Sequence, residues 1–221
     1  MFLNEEFNPP KFKLVNTWMV DPKFRGDANF VQESVMALSR INESVVSAIA
    51  LFDFSRQQSE SFSVEQRWRD SRLFLPNEWE RLAASSAAVA AYNFRRALIS
   101  IGPAVGKIPE WRGIVNLREF GKIEKKFDEE FPEISNIRHS ISHPEFYRDP
   151  KKNMAVSGPF ESEGFRLDSG QIMISEGIVN DKFVCSIDGK YLEFFVNGNS
   201  IIKMNAISRL VIKVLTPILH D

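Results

Sequence analysis

The sequence predicts a mainly helical protein, α+β overall, with a three-stranded antiparallel β-meander inserted before a closing helix. Three observations carry that expectation. From about residue 27 onward, apolar residues recur at spacings of three and four through long stretches. Residues 171–196, QIMISEGIVNDKFVCSIDGKYLEFFV, turn to β-branched and aromatic residues, with Asp188-Gly189 a strong two-residue hairpin signal and Asn180-Asp181 a weaker one. The chain end, NSIIKMNAISRLVIKVLTPIL, returns to helical spacing behind Asn199 or Ser200 as its cap.

Residues 1–25 read as an N-terminal arm. Pro9, Pro10 and Pro22 block helix there, and FKLVNTWMV is a short strand or an extended arm. A long helix is expected from Asp27 to about Phe54, its stripe formed by Phe30, Val31, Met36, Leu38, Ile41, Val45, Ile49 and Phe52. SRQQSESFS follows as a polar connector. Asn77, with Glu80 three residues on, suits a variant capping box for a helix that Gly102 and Pro103 should end. Its middle, AASSAAVAA, is small enough for close approach by another helix, within the fold or across a dimer seam. GPAVGKIPEWRG reads as a loop. A third helix is expected over about 115–130. Pro132 suits the start of a further helix, and Pro144 should end or bend it near His143. The organisation is then an arm (1–25), a helical bundle (26–147), a linker with the β-meander (148–198) and a C-terminal helix (199–221) that packs on the bundle or the sheet.

Charge narrows the function. Lys and Arg number 28 against 29 Asp and Glu, a formal net charge of −1, so no global field recruits nucleic acid or an anionic membrane. Any polyanion site must be a local patch. The single cysteine, Cys185, allows no internal disulfide and fits a reducing cytoplasm; within a strand it reads as a small buried apolar residue. The N-terminus, acidic early and carrying two prolines, is unlike a signal peptide. The most membrane-like run, LAASSAAVAAYNF, is too short to span a bilayer. A cytoplasmic protein without a membrane partner is expected.

There is no phosphate-binding glycine loop, no GxSxG elbow and no cysteine cluster. What remains is NIRHSISHPEF, residues 136–146, which holds two of the three histidines directly behind Arg138. On a helix His139 and His143 lie about 40° apart around the axis, and Arg138 and His143 about 140°. The two imidazoles, with Glu145 beyond the proline, suggest a metal site that no further ligand completes, so neither a metal nor a cofactor is expected. The pairing of arginine with histidine suggests other chemistry. An imidazole takes a proton from one oxygen and gives one to another, while a guanidinium holds a phosphate and the charge that develops on it. Cleavage of RNA by its own 2′-hydroxyl needs those functions, and a second copy from another subunit would complete the set.

RHSISH resembles the signature of the HEPN superfamily (higher eukaryote and prokaryote nucleotide-binding domains): arginine, then Asn, Asp or His, three variable residues, then histidine. Arg138, His139 and His143 fit the three fixed positions. The likeness covers about residues 27–147, with the last helix if it completes the bundle; the β-meander would be an elaboration. It implies an antiparallel helical bundle and a metal-independent endoribonuclease acting as a homodimer, the two motifs facing each other as one composite site. Such proteins are common in toxin–antitoxin, phage-defence and RNA-processing systems, where an antitoxin or regulatory protein is a further partner. By the resemblance His143 is the acid/base histidine, Arg138 the phosphate-binding arginine and His139 the orienting polar residue. Other members have lost catalysis, so the alternative is an interaction module that binds a protein partner or a nucleotide.

Local basic patches would supply an RNA path. RWRDSR offers Arg67, Arg69 and Arg72 with Trp68 for base stacking, and YRDPKK offers Arg148, Lys151 and Lys152 just past the motif. FRR at 94–96 adds two more arginines. Each is more often simply a solvated face.

Overall fold

The structure is a computed structural model that describes residues 7–63, 66, 70, 75–149, 153–162 and 165–220. It is mainly helical, with a three-stranded antiparallel sheet ahead of the C-terminal helix. The helices are α1 (Arg25–Glu60), α2 (Leu75–Lys107), α3 (Pro109–Arg112), α4 (Leu117–Glu130), α5 (Ile134–Ser142) and α6 (Gly198–Leu215). The strands are β1 (Ala155–Ser157), β2 (Phe160–Ser162), β3 (Phe165–Leu167), β4 (Gln171–Met173), β5 (Gly177–Val179), β6 (Lys182–Ile187) and β7 (Lys190–Phe195). The chain divides into two compact units, residues 1–44 with 90–132 and 201–221, and residues 45–89 with 133–200; α1 and α2 supply residues to both.

The first unit is helical. Phe94 stacks on Phe127 at 5.7 Å between ring centroids, and Phe127 tilts against Phe131 at 4.9 Å. Val31, Leu38, Leu98, Phe120, Ile207 and Val211 are buried in the same unit. The arm is tied in by an isolated bridge between Val15 and Leu219. A polar cluster inside this apolar core fixes α1 against α6: buried Asn42 donates to Asn205 Oδ1 (3.3 Å) and Ser208 Oγ (2.8 Å), and Asn205 donates to the Asn8 carbonyl (3.2 Å).

In the second unit β5, β6 and β7 form the antiparallel meander. Both hairpin signals hold: Asn180, Asp188 and Gly189 have positive φ, as tight hairpin turns require. The central strand β6 is buried throughout, Lys182 included, whose ammonium lies 3.2 Å from Glu193 and 4.6 Å from the Phe195 ring centroid.

Several boundaries differ from expectation, each for a tertiary reason. Helix α1 runs on to Glu60 through the stretch read as a connector. Ser55 and Ser59 are buried, Ser55 bonds back to the Leu51 carbonyl, and Arg56 pairs with Glu60 one turn on. Helix α2 starts at Leu75, so Asn77 lies inside it and accepts a hydrogen bond from Ser59 instead of capping. It also continues through Gly102 and Pro103 to Lys107. Buried Ile101, Ala104 and Val105 hold that turn, and a Cβ on Gly102 would come within 3.2 Å of Phe120, so the glycine serves close packing rather than a helix end. The supposed loop beyond it contains α3, with Trp111 buried. The small-residue middle of α2 is internal as expected, with Ala83, Ala84, Ala87, Ala88 and Ala91 buried. Among the described residues the stretch long and apolar enough to cross a bilayer is Pro22–Glu60, not 82–94, and 33% of its apolar window is buried.

The β region is larger than a meander. Residues 171–173, read as part of it, pair instead with β1, and β2 pairs with β3. These short strands lack a run of alternation long enough to stand out in sequence. The cap of α6 is Asn197, whose side chain accepts from the Asn199 and Ser200 backbone N–H groups. The sheet is packed by α5 against β6 and β7, whereas α6 from Ile201 onward belongs with the helical unit.

Candidate functional site

The motif lies on α5 and the turn after it. Ile134, Ile137 and Ser140 are buried, a spacing of three that turns one face of this short helix inward. Arg138, His139 and His143 are half-buried. Helix α5 ends at Ser142, as Pro144 dictates, and His143 is its C-cap with φ −131° and ψ 58°. Its N–H still reaches the His139 carbonyl at 3.1 Å. The rings of His139 and His143 lie 4.7 Å apart, so the two imidazoles do share a face.

His143 Nδ1 is 2.9 Å from Glu145 Oε1. That hydrogen bond holds the Glu145 carboxyl below the usual glutamate value, so it is ionised near neutral pH and can only accept. The proton in the bond therefore belongs to Nδ1, and a neutral His143 takes a further proton at Nε2.

Beyond the histidines the chain makes a 3-10 turn, Pro144–Arg148. The Tyr147 hydroxyl donates to the Ser186 carbonyl of β6 at 2.9 Å, and burial pushes its pKa up to about 12. Ser186 is buried in turn: its hydroxyl donates to the Met154 carbonyl and accepts from the Ile174 N–H. The turn that follows the motif is thus pinned to the central strand. Sequence reasoning missed Tyr147, because its partner lies 39 residues away and no local pattern marks it.

Close to Arg138 in the chain, Glu133 pairs with Lys190 (3.3 Å), Glu129 with Lys125 (3.7 Å) and Glu130 with Lys203 (2.9 Å). Among the described residues no group of three or more His, Cys, Asp or Glu comes together to hold a metal ion. Cys185 is buried, and burial pushes its thiol up to about 11, which keeps it protonated and unreactive.

Of the expected RNA-path residues, Arg148 is exposed directly after the motif. Arg67, Trp68, Arg69, Arg72, Lys151 and Lys152 lie outside the described residues. In FRR, Phe94 is core and Arg95 holds Asp128 at 2.7 and 3.1 Å. A concavity of this unit, about 430 Å³, is lined by Arg56, Glu80, Arg81 and Glu176 among others. Its arginines are engaged with carboxylates, Arg56 with Glu60 and Arg81 with Glu78 and Glu176.

No protein-family model, no curated protein and no solved structure matches the chain.

Proposed function

We propose that the chain is an endoribonuclease that needs no metal, working as a homodimer whose two copies of Arg138, His139 and His143 form one composite site. The observation that carries this reading is the pair of imidazoles 4.7 Å apart with His143 oriented by an ionised Glu145. A histidine whose Nδ1–H is held by a carboxylate presents a basic Nε2, the arrangement that general-base chemistry uses. In the reaction, His143 takes the proton of the 2′-hydroxyl, whose oxygen attacks phosphorus. The bond to the 5′ oxygen breaks, and that oxygen takes a proton from a histidine of the other copy. The products are a 2′,3′-cyclic phosphate and a 5′-hydroxyl. Arg138 holds the phosphate and the charge that builds on it. Its likeness to the HEPN signature supports the assignment, and with it roles in toxin–antitoxin or phage-defence systems.

The test is incubation of the pure protein with mixed RNA in EDTA, beside His143→Ala and Arg138→Ala. Cleavage by the parent protein, lost in both variants and ending in 2′,3′-cyclic phosphate, is the expected result. Activity equal in all three, absent, or dependent on added metal overturns the proposal and leaves a non-catalytic interaction module.

A further inference from the structure

Within the helical unit, α4, α6 and the segments flanking them line an open-sided cavity of about 490 Å³. Its apolar lining is aliphatic: Ile114, Ile123, Leu210, Val214 and Pro217. Ile114 is 56% exposed. The polar lining is Asn116 and a charged set with cationic excess, Lys122, Lys126 and Lys213 against one carboxylate, Glu119. Lys122 is engaged by Glu119 at 2.6 Å. Among the described residues Lys126 and Lys213 make no ion pair, so the lining carries two uncompensated ammonium groups beside an aliphatic surface.

We propose that this cavity binds an aliphatic carboxylate, its chain against Ile114, Ile123, Leu210 and Val214 and its carboxylate at Lys126 and Lys213. The size lies in the range of small-ligand sites, in which a mostly apolar wall is joined by a few charged groups that fix orientation. The charge excess matches an anion. Among the described residues no aromatic ring lines the cavity for a nucleobase to stack on, and no arginine offers the fork that favours phosphate. The site shares no residue with the motif of α5, so it stands or falls apart from the ribonuclease reading.

The probe is decanoate, titrated into the full chain by calorimetry at low salt, with decan-1-ol as the uncharged counterpart. Saturable one-to-one binding of decanoate is expected, with decan-1-ol weaker by at least about tenfold. The double variant Lys126→Ala/Lys213→Ala should weaken decanoate binding by about tenfold or more, whereas Lys126→Arg/Lys213→Arg keeps it within a few-fold. Both lysines are exposed, so neither variant threatens the fold. Lack of saturation at millimolar decanoate, equal affinity in the alanine double variant, or decan-1-ol as tight as decanoate each overturns the proposal. So does tighter binding of oligouridylate, lost in the same double variant, which would make the patch a nucleic-acid contact.

Discussion

His143 Nδ1 stands 2.9 Å from Glu145 Oε1 across the intervening Pro144. The proline ends α5 and turns the chain so that a residue two positions on meets the ring. The contact shows in the carboxyl. The wild-type Glu145 carboxyl should titrate, by NMR, at a lower pH than the same group in His143→Ala, because the hydrogen bond favours its ionised form. The folded value lies below the unfolded one, so the contribution is present above the unfolded value and fades as pH falls through the folded one. A wild-type midpoint at or above that of the variant contradicts the bond.

If His143 is the proton-transfer group, His143→Ala should lower RNA cleavage by about 10²–10⁴-fold, and Glu145→Gln by less, since it removes orientation but leaves the imidazole. Substrate KM should rise more in Arg138→Ala than in Glu145→Gln. Equal losses in Glu145→Gln and His143→Ala would give the carboxylate a direct part instead.

Tyr147→Phe deletes the hydroxyl that ties the motif turn to Ser186. A loss of about 0.5–1.5 kcal/mol in urea unfolding is expected, typical of one net hydrogen bond. The wild-type phenol ionises late, at about 12, so the folded state is favoured fully below the usual tyrosine value near 10 and loses this contribution as pH rises from there to about 12. Ultraviolet titration at 295 nm follows it, and loss of the late-titrating component in Tyr147→Phe identifies it.

Lys182 is 4% exposed at its side chain and meets Glu193 at 3.2 Å. Glu193→Ala leaves a buried ammonium without its carboxylate and should destabilise by about 3 kcal/mol or more, whereas Lys182→Met/Glu193→Leu should cost far less. Chemical denaturation of both variants checks the order; the reverse order means that the pair itself stabilises the sheet.

Asn42→Ala leaves the buried Asn205 and Ser208 short of a donor in the helical unit. The expected loss is about 1–3 kcal/mol by denaturant midpoint at unchanged m-value. A neutral result would mean that water enters to replace the amide.

Much of the candidate site was legible in the sequence because its chemistry is local. Arg138, His139 and His143 are close in the chain, helical spacing alone brings the two imidazoles together, and Pro144 alone stops the helix. Likewise Asp188-Gly189 and Asn180-Asp181 set their turns through residues that tolerate positive φ. Tyr147 was not legible, since nothing near it in sequence reveals Ser186.

Periodicity, capping and proline act over a few neighbouring residues, and they suffice for the helical class, the meander with its turns and the motif helix with its end. The remaining features come from long-range packing. Burial of Ser55 and Ser59 carries α1 to Glu60, packing of Phe120 on Gly102 lets α2 pass Pro103, and the sheet is packed by α5. Such outcomes depend on apolar surface and hydrogen-bond partners supplied from far along the chain, and a burial that outweighs a local preference leaves no mark within the local sequence.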